Sequence, residues 1–192
     1  MAFSKPAETA GTPVVLGLGS NQGDSRGILT GAFGVLGEVL EEIRVASFFE
    51  TDPLQVTDQD RFLNTALGGR YRGGPRELLE HIHRIEAQFG RDRKKERRWG
   101  ERPLDIDILL FGSLVLSEPP ELEIPHPRLT ERRFALVPLL ELFPDAADPR
   151  TGRAYRVFME ELPRQGIYYA GPGGYTDGKW TSKTQARPEV LE

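Results

Sequence analysis

Two aspartates, Asp105 and Asp107, interrupt the otherwise apolar run L-D-I-D-I-L-L-F at residues 104–111. Side chains alternate along a strand, so both acids fall on one side of it, roughly 6 to 7 Å apart. Neighbouring buried acids repel, and desolvation costs each several kcal/mol unless a cation neutralises it. The stretch just upstream carries seven cations, Arg91, Arg93, Lys94, Lys95, Arg97, Arg98 and Arg102, against three acids, Asp92, Glu96 and Glu101. A loop so charged grips phosphate oxygens. Mg2+ takes one or two carboxylates and fills its shell with water and phosphate. Together these features point to a nucleoside triphosphate handled with magnesium. The alternative is a structural network in which Arg91 or Arg102 neutralises the two acids.

Other residues have suggestive neighbours. His126 sits between Pro125 and Pro127, close in sequence to Arg128, Arg132 and Arg133. A stiffened imidazole among cations suits contact with phosphate, and a structural role is the alternative. His81 and His83 lie two apart on a helix and do not face each other, which argues against joint metal binding. Trp99 stands inside the cationic loop as a packing ring, a stacking platform or a lid. Phe62 and Asn64 share one side of a strand, an aromatic to stack on a flat heterocycle beside an amide to read its edge; core packing is the plain alternative. G-L-G-S-N-Q-G at 17–23 has Gln22 where a dinucleotide fingerprint needs glycine, and no P-loop motif occurs, so any ATP site is of another kind.

The elements that must hold these residues follow from periodicity. V-V-L-G-L-G reads as a buried strand running into a turn. Ile28, Leu29, Ala32, Phe33, Leu36, Val39 and Leu40 then make an amphipathic helix. Residues 43–50 read as a second strand and 61–71 as a third, joined by the loop T-D-P-L-Q-V-T-D-Q-D. Pro75 opens and Gly90 closes a helix whose stripe is Leu78, Leu79, Ile82, Ile85 and Phe89. The aspartate strand comes next, and the second half of I-P-H-P-R-L-T-E-R-R-F-A-L-V-P-L-L-E-L forms a further helix. The order β-α-β-β-α-β predicts a ferredoxin-like α+β sandwich, an antiparallel sheet with two helices on one face. Residues 1–12 are expected to be a flexible leader, 13–165 the folded domain and 166–192 a loose, Gly-rich, charged tail.

Composition narrows the class. The chain has 192 residues, enough for one domain with a substantial core, and a net charge of −4, so attraction to phosphate is local. With no cysteine, disulfides, thiolate nucleophiles and zinc–cysteine sites are excluded. The first residues hold no apolar h-region and no window approaches 18 consecutive apolar residues, so neither secretion nor a membrane span is expected. A cytoplasmic monomer with no nucleic-acid or membrane partner is expected instead. The competing class is a ferredoxin-like module binding RNA or nucleotide without catalysis. It lacks support from any RNA-recognition signature, and paired acids on the sheet would repel a nucleic-acid backbone.

The sequence resembles the 6-hydroxymethyl-7,8-dihydropterin pyrophosphokinases of folate biosynthesis. The likeness is carried by G-L-G-S-N, F-L-N at 62–64, R-I-E at 84–86, G-R at 90–91, R-W-G-E-R-P-L-D-I-D-I-L-L-F-G at 98–112 and I-P-H-P-R-L-T-E-R-R-F at 124–134, and it covers about residues 13–145. The resemblance implies transfer of the terminal diphosphate of ATP to the pterin alcohol, leaving AMP. It places two Mg2+ ions on Asp105 and Asp107, with Arg91 and Arg102 catalytic. Arg93, Lys94, Trp99, His126 and Arg132 would bind ATP. The pterin would lie between Phe62 and Phe134, with Asn64 on its amide edge, Thr51 to Leu54 adding contacts, and Gly19, Ser20 and Asn21 lining the pocket. Phe62 and Pro127 depart from members that carry tyrosine there, and K-K-E-R-R-W holds one more basic residue than shorter members.

Overall fold

The computed structural model describes residues 11–52, 60–93, 101–163, 166–176 and 179–180. Strand β1 (Thr12–Ser20) ends in a turn where the Asp24 carboxylate accepts the Gly27 N–H at 2.9 Å and so caps helix α1 (Ser25–Leu36). The helix stops at Gly37, short of Val39 and Leu40, which pack after it rather than on it. Expected as one strand, residues 43–50 fall into two, β2 (Glu41–Val45) and β3 (Phe48–Thr51). The break has a cause: the Ser47 N–H is taken by the Glu141 carboxylate, 3.1 Å from each oxygen, instead of by a neighbouring strand. Strand β4 (Phe62–Tyr71) serves both halves, pairing antiparallel with β2 at one end and with β3 at the other.

Helix α2 (Pro75–Gln88) begins with proline at its first turn and is followed by Gly90 at φ +90°, a conformation glycine adopts without strain. Strand β5 (Asp105–Phe111) pairs antiparallel with β1, which lies between it and β4. The order β2-β4-β1-β5, with α1 and α2 packed on one face, is the expected ferredoxin-like α+β arrangement. That face buries Leu16, Leu18, Leu29, Phe33, Leu67, Leu78, Ile82, Ile106 and Ile108.

The chain goes beyond two helices on one face. After the hairpin β6 (Leu116–Glu118) and β7 (Leu122–Ile124), a 3-10 turn leads into α3 (Arg133–Leu142), and α4 (Tyr155–Glu161) follows. These helices cover part of the second face, burying Val15, Ala66 and Leu109 against Leu136, Leu139 and Tyr155. The expectation of a loose tail from residue 166 is not met over its described part. Strand β8 (Ile167–Gly171) pairs with β3, and β9 (Tyr175–Thr176), which pairs with β10 (Lys179–Trp180), joins β2. The edges of β2 and β3 offer unpaired peptide groups that outweigh the glycine-rich composition of the segment. Residues 1–10 and 181–192 lie outside the described residues.

Candidate functional site

Beyond the part covered by α3, the second face of the sheet carries polar groups. Strand β5 sets Asp105 opposite Gly19 and Asp107 opposite Gly17, and Gly19 is in turn opposite Asn64 on β4. Asp105, Gly19 and Asn64 therefore form one row across three strands. Asp105 accepts from Arg91 Nη1 at 2.5 Å and from Arg102 Nη1 at 2.7 Å. Asp107 is held more loosely, with Arg132 Nη1 and His126 Nε2 each 3.6 Å from Oδ2. The structural ion-pair alternative is thus realised at Asp105 and only weakly at Asp107.

The electrostatics follow that difference. Burial pushes the Asp105 carboxyl upward, but the charges of Arg102 and Arg91 and their hydrogen bonds outweigh it and hold it below the usual range. Burial and then the charge of Asp105 push Asp107 up to about 6, against the pull of Arg132. This carboxylate is short of positive charge. Burial, then Arg132 and Arg128, lower His126 to about 4, so its imidazole is neutral at pH 7. Its Nδ1 accepts the Arg128 N–H at 3.1 Å, which leaves Nε2 carrying the hydrogen that faces Asp107.

Beneath the acids lies a residue the sequence reading assigned no role. Glu86 on α2, with a side chain 1% exposed, accepts from Arg91 Nη1 at 2.5 Å, from Arg93 Nε at 3.0 Å and Nη2 at 2.5 Å, and from the Ile106 N–H at 2.9 Å. Burial raises its pKa while Arg91 and Arg93 pull it down, and the net displacement is upward. The sequence held a signal: Glu86 lies four residues after Ile82, on the buried stripe of α2, where an acid requires a partner.

Next in the row, the missing side chain of Gly19 leaves the space over the sheet that the Asn64 amide oxygen enters. A Cβ there would stand 2.8 Å from Asn64 Oδ1. Asn64 Nδ2 donates to Thr51 Oγ1 at 2.7 Å, which turns Oδ1 toward that space. Phe62 lies two residues from Asn64 on the same side of β4, opposite Thr51. Phe134 is on the first turn of α3, with the Arg132 guanidinium 5.5 Å from its ring centre. Asn21 forms a clasp: its Oδ1 accepts the Arg102 N–H at 2.8 Å and its own N–H donates to the Arg102 carbonyl at 3.1 Å. Ser20 differs from the expectation. It is fully buried, and its hydroxyl lies 3.0 Å from Ser25 Oγ at the start of α1, on the opposite face from Gly19 and Asn64. The expected contacts at Lys94, Trp99 and Leu54 lie outside the described residues.

The donor set suits Mg2+. Two carboxylates share a face, the Asp107 side chain is 38% exposed, and among the described residues no group of three or more His, Cys, Asp or Glu could form an all-protein cage. A hard ion that keeps water and takes substrate phosphates needs no more.

Known proteins share this sequence and fold. The family described as 7,8-dihydro-6-hydroxymethylpterin-pyrophosphokinase (HPPK) matches residues 15–144. The 2-amino-4-hydroxy-6-hydroxymethyldihydropteridine pyrophosphokinase of Bacillus subtilis is 43% identical over 129 residues, covering 66% of this chain and 75% of that protein. The enzyme of that name from Methylorubrum extorquens is 42% identical over 158 residues, covering 81% of this chain and 97% of that protein. The mitochondrial folate synthesis bifunctional protein of Arabidopsis thaliana is 43% identical over 140 residues, and the match spans only 24% of its length. The crystal structure of wild-type Plasmodium falciparum HPPK-DHPS has the same fold, with a TM-score of 0.63 at 15% identity over 81% of this chain and 45% of that one. No helix among the described residues is long and apolar enough to cross a membrane. With the aspartate pair, its arginines and the sheet order in place, the chain belongs to the 7,8-dihydro-6-hydroxymethylpterin-pyrophosphokinase family.

Proposed function

We propose that the protein transfers the terminal diphosphate of ATP to the hydroxyl oxygen of 6-hydroxymethyl-7,8-dihydropterin. A bond forms between that oxygen and the β-phosphorus, the α–β anhydride bond breaks, AMP leaves and the hydroxyl proton is lost. The observation that carries the reading is the row across β5, β1 and β4, which sets a cation-flanked acid on the same face as an oriented amide, with Asp107 two residues along β5 from that acid.

Asp105 and Asp107 would hold two Mg2+ ions, which supply charge neutralisation for the bridging phosphates. Arg91 and Arg102 oppose the charge that builds on the transferred group. Arg93, Lys94, Trp99 and Arg132 bind ATP, and the neutral His126 donates a hydrogen from Nε2 to a phosphate oxygen. Asn64 Oδ1 accepts from the N–H edge of the pterin, the ring lies between Phe62 and Phe134, and Gly19, Asn21, Thr51 and Leu54 shape the pocket. Positioning does most of the work, since no covalent intermediate is needed.

The test is AMP release from ATP, Mg2+ and 6-hydroxymethyl-7,8-dihydropterin. AMP and pterin diphosphate are expected in equal amounts, and an Asp105→Ala variant should bind ATP while losing nearly all turnover. Absence of AMP with the parent chain overturns the reaction, and full activity in the variant overturns the metal site.

A further inference from the structure

Strand β8 follows residues 15–144, over which the family description matches, and it pairs with the strand that carries Thr51 of the candidate pterin pocket. Its register partner on β3 is informative: Ile167 pairs with Thr51, the residue whose hydroxyl orients the Asn64 amide. Next to that pair the Asp52 N–H donates to the Gly166 carbonyl at 3.2 Å. Tyr169 places its ring edge-on to Phe49, 6.2 Å between centres, and Phe49 is the register partner of Asn64. Tyr168 receives the Arg61 guanidinium over its ring at 4.5 Å and donates to Asp52 Oδ2 at 3.4 Å, while Arg61 Nε donates to Asp52 Oδ1 at 2.9 Å. Asp52 adjoins Thr51 and Arg61 adjoins Phe62, so β8 holds both strand ends from which the pocket residues project.

The reason this matters is geometric. Strand β3 is only four residues long. With β4 as its sole neighbour it would be a short edge strand, free to twist and slide. A small shift of Thr51 would release the Asn64 Nδ2, and a turned amide would offer a ligand a donor where it needs an acceptor. Positional errors near an ångström are costly in such sites.

We propose that β8 is a positioning element for the heterocycle-binding pocket, keeping Thr51 and hence the Asn64 amide in register through the Ile167, Tyr168 and Tyr169 contacts. The inference rests on the pterin reading above and deepens it, because it assigns to the C-terminal segment an effect on one substrate and not on the other.

The test compares the full chain with Tyr169→Ala, Tyr169→Phe and a Tyr168→Ala/Tyr169→Ala double variant. Calorimetric titration gives Kd for ATP with Mg2+, and for 6-hydroxymethyl-7,8-dihydropterin in the presence of a non-hydrolysable ATP analogue. Expected is a rise of roughly tenfold in the pterin Kd for Tyr169→Ala and more for the double variant, with the ATP Kd unchanged and Tyr169→Phe behaving like the parent. Unchanged pterin binding in the double variant overturns the proposal. Equal weakening of both ligands also overturns it, because that is loss of fold. A parent chain that binds no pterin sinks the pterin reading together with this one, whereas a parent that binds pterin and a variant that binds it equally well sink only the role of β8.

Discussion

Glu86 makes no contact with either aspartate, yet it decides where Arg91 points. A carboxylate 1% exposed, between two arginines and the Ile106 N–H, is the anchor on which the cationic side of the site is built. Replacing it with alanine would take away one of the two carboxylates that Arg91, with a side chain 4% exposed, donates to. Asp105 still compensates it, so the expected cost is only part of the roughly 3–5 kcal/mol of a fully broken buried pair. Glu86→Gln is the gentler probe. It is expected to lower kcat on the order of 100-fold with little change in the KM for pterin, measured by steady-state kinetics. Equal changes in both parameters would place Glu86 outside the positioning of Arg91. Gly19 offers a test at the other substrate. A methyl group there would stand 2.8 Å from Asn64 Oδ1, so Gly19→Ala is expected to raise the pterin KM about 10-fold or more while ATP affinity holds.

The bend between β2 and β3 is an element held by one side chain from a distant helix. Glu141 on α3 accepts the Ser47 N–H and, at 2.8 Å, the Ser47 hydroxyl. Glu141→Ala leaves a largely buried N–H unpaired and should cost about 1–3 kcal/mol, read from urea denaturation. The sign of the pH effect follows from the shift. Burial raises the Glu141 pKa above its ordinary 4.5, against the lowering by Ser47. The folded state therefore holds this proton more tightly than the unfolded chain does. Its contribution is fully present below pH 4.5 and is lost as pH rises through the raised value. Glu141→Gln should flatten that part of the stability profile; an unchanged profile would mean the tie is not electrostatic. Helices α3 and α4 are fastened similarly, with Arg133 Nη1 donating to the Met159 and Leu162 carbonyls at the end of α4. That leaves Arg132, not Arg133, facing the acid pair.

At the level of the whole molecule, the sheet separates two tasks: one face buries the main core against α1 and α2, and the other divides between a smaller core and the site. A net charge of −4 coexists with a cluster of arginines because the cations are gathered at one end of β5. Ligand binding should then stabilise the entire fold by linkage. At an ATP–Mg2+ concentration near 100 times Kd the gain is about 2.7 kcal/mol, which corresponds to a rise in Tm of roughly 5–10 °C for a chain of this size. Adding EDTA with the ATP should remove most of the rise in a thermal melt. An equal shift without Mg2+ would count against metal binding at Asp105 and Asp107.

The aspartate strand, the stripe of α2 and the β-α-β-β-α-β order were readable from the chain because each is a short-range pattern of period 2 or 3.6. The motifs at 98–112 and 124–134 carried the family likeness for the same reason, being contiguous. The break at Ser47, the clasp of Asn21 on Arg102, the Glu86 anchor and the docking of β8 had no such signature. Ser47 and Glu141 are 94 residues apart and Asn21 and Arg102 are 81 apart, so their pairing appears only once the chain has folded. Periodicity tells a residue which side of its element is buried. It does not say which buried donor an acid will meet, because that depends on how the elements pack on one another.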